Sequence, residues 1–73
     1  MSIFEKVRQV EELAAAVVKV ERIEMGAMDS MSQSDVQQAR ADIAALLELQ
    51  KQTDTELRTR EWVDALLRRL DAI

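Results

Sequence analysis

Gln50-Lys51-Gln52-Thr53-Asp54-Thr55-Glu56 is the stretch on which the reading of the fold turns. All of its side chains are polar. Thr53, Asp54 and Thr55 are poor helix formers, because a branched carbon or a competing side-chain oxygen works against helical backbone. The chain on either side is patterned as helix. Upstream, Val36, Ala39, Ile43, Leu46 and Leu47, extended as far as Leu57, share one face at about 100° per residue. Downstream, Trp62, Val63, Leu66, Leu67, Leu70 and Ile73 share a face that lies roughly 180° round the same helix. One straight helix through both runs would aim its apolar groups in opposite directions. Either the chain breaks near Thr53–Glu56, or a single long helix packs against different partners at its two ends.

Thr53 followed by Glu56 has capping-box spacing and marks a helix start, whereas no Gly or Pro forces a break there. The expectation is an all-α fold, with helices at about 3–25, 35–52 and 56–72. A hairpin in which the last two are continuous is the alternative.

Outward from this stretch, the first helix begins at Ser2, whose hydroxyl suits the backbone N–H of Glu5. It runs to about Met25, and Gly26 fits a left-handed position just past its end. Two apolar seams run along it. Ile3, Val7, Val10, Ala14 and Val17 form one; Leu13, Ala16, Val20, Ile23 and Ala27 form another, rotated by roughly a third of a turn. Two adjacent seams imply two neighbours, which makes this helix the expected central element. The alternation Val18-Lys19-Val20-Glu21 is strand-like but fails at Arg22-Ile23, so helix is retained. Residues 26–34 form the clearest loop. Ser32 or Ser34 can cap the second helix, with Asp35 or Gln37 three residues on.

Seventy-three residues make one domain at most. A domain of this size buries only about 60% of its unfolded surface, so its stability alone is marginal. Without cysteine or histidine it has neither a disulfide nor the favoured ligands of structural zinc. Tight helix packing or another chain must supply the rest, so the expected partner is a second copy or another helical protein. Phe4 and Trp62 are the only aromatic residues, which leaves the core to Val, Leu, Ile, Ala and Met.

The net charge of −4, from 14 acidic and 10 basic residues, disfavours general binding to nucleic acid or anionic membranes. The longest apolar run, Leu13–Val18, is far short of the ~20 residues of a membrane span, and its charged flank does not resemble a signal peptide. The expected location is cytoplasmic; secretion without a cleavable signal is compatible with the same features.

Catalysis has poor material. His and Cys, the usual general base and thiol nucleophile, are missing. No phosphate loop, dinucleotide fingerprint or calcium loop is present, and no cofactor or metal is expected. Arg58, Arg60, Arg68 and Arg69 raise a helix-turn-helix reading, but Asp54, Glu56, Glu61, Asp64 and Asp71 are threaded among them and break any basic stripe.

The candidate partner-binding residues are therefore apolar, with one exception. Trp62, Leu66, Leu70 and Ile73 form an i, i+4, i+8 stripe suited to a groove, and Trp is enriched among binding hot spots. Met25 and Met28, with Met31, recur every third residue at the hairpin tip and can form an adaptable contact. The exception is Glu21, a charge on the first seam, which reads either as a solvated seam end or as a register-setting contact to a cation on a partner helix.

The expected function is a non-enzymatic interaction module, acting as a small structural, adaptor or inhibitor subunit. No family is matched by motif. In outline the chain resembles the small helical-hairpin subunits of type III secretion needles and their co-chaperones. The resemblance rests on length, the polar serine-rich turn and a C-terminal amphipathic helix ending at Ile73. The Pro-containing turn of the needle family is absent where this chain has Ser30-Met31-Ser32-Gln33. The resemblance implies a subunit that polymerises or is held by a chaperone.

Overall fold

Ser2, Ser32 and Thr59 set the starts of the helices in the computed structural model, which describes residues 2–73. Each hydroxyl accepts a backbone N–H three residues on, so each helix gains a partner for one of its orphan donors. Ser2 accepts from Glu5 at 3.2 Å, Ser32 from Asp35 at 3.1 Å and Thr59 from Trp62 at 3.1 Å. The Asp35 carboxylate accepts in return from the Ser32 N–H, completing a capping box.

The order is α1 (Ile3–Met25), a short 3-10 turn (Met28–Ser30), α2 (Gln33–Thr53) and α3 (Arg60–Asp71). There is no strand among the described residues, and the alternation at residues 18–21 lies inside α1. The second helix starts at Gln33, two residues before the expected Asp35, because Ser32 rather than Ser34 is the cap. Gly26 does not adopt the left-handed conformation; its backbone is extended, with φ −81° and ψ 175°. The following turn and the Ser32 cap reverse the chain without a positive φ.

The break predicted near residue 53 is present, but its chemistry differs from the Thr53–Glu56 capping box. α2 ends at Thr53, whose hydroxyl donates to the Leu49 carbonyl at 2.7 Å. Asp54 then takes a left-handed conformation with φ 50°. The third helix starts at Arg60, not at residue 56, with Thr59 as its cap. The Glu56 carboxylate instead accepts the Arg60 N–H, supporting the start from outside the helix. Leu57, read as an extension of the upstream stripe, lies in this connection, 45% exposed.

The connection turns the chain so that the two opposed stripes face one core. Leu13, Val17 and Val20 of α1, Met28 of the turn, Ala39, Ile43 and Leu46 of α2, and Val63, Leu66 and Leu70 of α3 form a single buried cluster. Each fully buried Val, Leu or Ile contributes roughly 1.5–3 kcal/mol of transfer free energy. Trp62 is half-buried at the rim of this cluster.

Only one seam of α1 is consumed by this packing. Leu13, Ala16, Val20 and Ile23 of the second seam meet the core. Of the first seam only Val17 is buried, while Ile3, Val7, Val10 and Ala14 are exposed. Of the two neighbours that the two seams imply, the chain itself supplies one. The reason is length. α3 has 12 residues and α1 has 23, or about 18 Å against about 34 Å, so α3 cannot run along all of α1.

Candidate functional site

The N-terminal part of α1 contains no buried residue from Ile3 to Glu12. Its core-facing positions here are Lys6 and Gln9, polar residues that extend the line of Leu13 and Val20 by helical periodicity. The apolar residues lie instead on a face turned roughly a quarter of a turn away. Ile3 is 73% exposed, Phe4 83%, Val7 51% and Val10 63%. Exposed Ala14, Val18 and Met25 continue the same face toward the hairpin tip. The first three turns of α1 thus stand clear of the bundle and carry an apolar stripe in solvent. Lys6 and Glu11 flank the stripe, and with Val7 and Val10 they border a shallow hollow.

At its other end the stripe meets Glu21, whose carboxylate is ion-paired to the Arg58 guanidinium. The guanidinium also lies over the Trp62 ring, 5.5 Å from its centroid. The cation that the seam charge calls for thus comes from the α2–α3 connection of the same chain. Arg58 is held there by Gln50, which is buried although it is polar. Its side-chain oxygen accepts the N–H groups of Leu57 at 2.9 Å and Arg58 at 2.8 Å, and its amide nitrogen donates to the Arg58 carbonyl at 3.2 Å. One side chain therefore satisfies three backbone groups of a segment that belongs to no helix.

The residues expected to bind a partner are divided by this arrangement. Leu66, Leu70 and Met28 are buried in the monomer's own core, and Trp62 is half-buried beside Arg58. Ile73 is 49% exposed, and Met25 is the most exposed large apolar residue among the described residues, at 84%. Glu21, Met25 and Trp62 border one shallow hollow with Leu57 and Arg58, whereas Ile73 lies with Leu70 in a separate one beside Met31 and Val36. Gln50 and the Ile3–Val10 surface were not among the expected partner-binding residues. Gln50 follows Ala39, Ile43 and Leu46 in steps of four, three and four, which places it on the core seam of α2. Polar Lys6 and Gln9 in line with the core seam of α1 were the signal that this seam stops at Leu13.

Among the described residues no group of three or more Asp and Glu side chains is arranged to hold a metal ion, and no helix is long and apolar enough to cross a membrane. Arg40 pairs with Asp71, Arg58 with Glu21, and Arg60 with Asp64 at 3.1 Å. No family model, curated protein or solved structure matches the chain.

Proposed function

We propose that this chain is a helical protein–protein interaction module without catalytic activity, and that its contact surface is the exposed face of α1 around Ile3, Val7 and Val10. The observation that carries this reading is the exposure of that stripe on a helix whose core-facing positions lie about a quarter of a turn away. Contiguous apolar surface rimmed by charge is characteristic of contact sites, and a small domain with one seam left over gains stability from covering it. The Trp62-to-Ile73 stripe supplies less, because Leu66 and Leu70 would have to leave the core to reach a partner.

The helix-turn-helix alternative finds less support. Arg58 in the α2–α3 connection and Arg60 at the start of α3 each have a carboxylate partner within the chain, so they offer little free charge to phosphate.

The test is the double substitution Val7→Asp/Val10→Asp in the full chain. In dilute solution, helicity and the thermal midpoint should stay close to those of the parent, because neither residue enters the core. Self-association, or retention of a binding partner on the immobilised chain, should be lost. A variant that associates as the parent does would sink the assignment of this face.

A further inference from the structure

We infer that the exposed face of α1 is covered by the same face of a second copy, with the two helices parallel and in register. This rests on the interaction reading above and names its partner. Ile3, Val7, Val10 and Ala14 follow one another in steps of four, three and four, the spacing of a two-heptad coiled-coil seam. Val7 and Ala14 take the a positions, Ile3 and Val10 the d positions. Lys6 then occupies g, and Glu11 occupies the e position of the next heptad.

In a parallel pair, g of one helix faces e of its partner five residues further on. Lys6 of each copy therefore faces Glu11 of the other, which gives two opposite-charge contacts across one seam. An antiparallel pair sets g against g and e against e. It would bring Lys6 beside Lys6 or Leu13, and Glu11 beside Phe4 or another Glu11. The charges thus select the parallel arrangement. The hollow bordered by Lys6, Val7, Val10 and Glu11 lies on this seam. The seam also ends where it should. Its next a position after Ala14 is Glu21, which would bring two carboxylates together but is already paired to Arg58 of its own chain. The contact is confined to the projecting part of α1, and the two bundles diverge beyond it.

Two measurements on the full chain test this. Sedimentation equilibrium over a wide concentration range should give a mass of two chains. Lys6→Glu alone and Glu11→Lys alone should each weaken the pair by roughly 5–10-fold, while the double exchange restores it to within about twofold. Because the chain has no cysteine, Val7→Cys provides a single thiol, and in a parallel pair it faces its own counterpart within disulfide reach. Mild oxidation should convert this variant to a cross-linked dimer. The parallel pair is overturned by a monomer at every concentration. It is equally overturned by a dimer in which the Val7→Cys variant resists cross-linking to itself but joins a Val10→Cys chain. A monomer that retains another protein only while Val7 and Val10 are intact defeats this inference and leaves the interaction reading standing. A dimer unchanged by Val7→Asp/Val10→Asp defeats both.

Discussion

Arg58, in the connection between α2 and α3, is ion-paired to Glu21 in the C-terminal half of α1. The pair ties the α2–α3 connection to α1. Both side chains are about one-third exposed (33% and 35%), so solvent screens the attraction. A partly exposed pair of this kind contributes roughly 0.5–1 kcal/mol, and the position over Trp62 adds a similar amount. In a double-mutant cycle, Glu21→Ala and Arg58→Ala should couple by about 0.5–1 kcal/mol in urea denaturation. Arg58→Ala should cost more than Glu21→Ala, since it also uncovers the Trp62 ring. Additive losses would mean that screening cancels the pair.

Gln50 should matter more than either charge. Replacing it with Leu keeps the buried bulk but leaves the N–H groups of Leu57 and Arg58 without their acceptor. Unmade bonds of this type cost about 1–3 kcal/mol. Gln50→Leu is therefore expected to lower stability by about that amount, with amide exchange rising first at residues 57–58. A variant as stable as the parent, with unchanged exchange, would show that these N–H groups do not depend on the Gln50 side chain.

Gln50 also marks the limit of what the sequence could disclose. The all-helical class, the stripe of α2 and the break after it were legible, because apolar spacing records which way each helix faces. The Ser2 and Ser32 caps were legible for a similar reason, since a cap is a contact within three residues. The start of α3 was not. It depends on Thr59 and Glu56 meeting a backbone that Gln50 holds from a distance of seven or eight residues, whereas local spacing pointed to Thr53. The two seams of α1 were visible, but not which one would be left over. That was settled by the short reach of α3 and by the Arg58 side chain closing on Glu21.

Asp54 is the only described residue other than glycine with positive φ, and it also places a carboxylate at the negative end of the α2 dipole. Both features oppose stability. Asp54→Gly should therefore stabilise the protein by about 0.5–1 kcal/mol, since glycine accepts this conformation without a side-chain clash. Asp54→Asn should recover only the electrostatic part, about 0.3–0.5 kcal/mol, and its gain should shrink in high salt. Thermal denaturation at two salt concentrations separates the two. A loss of stability in the glycine variant would mean that the Asp54 side chain holds the turn in a way its backbone does not reveal.

Ile43 and Val10 provide a contrast between the two kinds of apolar surface on this protein. Ile43 is 1% exposed at the centre of the cluster, and Val10 is 63% exposed on the projecting helix. An aspartate at position 43 would put an unpaired carboxylate among Leu, Val and Ile side chains, a cost of several kcal/mol against a stability that is small for a chain of this length. Ile43→Asp should therefore lose its cooperative thermal transition and most of its helicity. Val10→Asp removes no core contact and should stay within about 0.5 kcal/mol of the parent when both are compared as dilute monomers. At high concentration the comparison should change. The parent gains stability by mass action if α1 is covered by a second copy, and Val10→Asp does not. A parent whose thermal midpoint rises with concentration while that of Val10→Asp stays flat would link the exposed stripe to association. Parallel behaviour of the two would remove that link while leaving the core assignment of Ile43 intact.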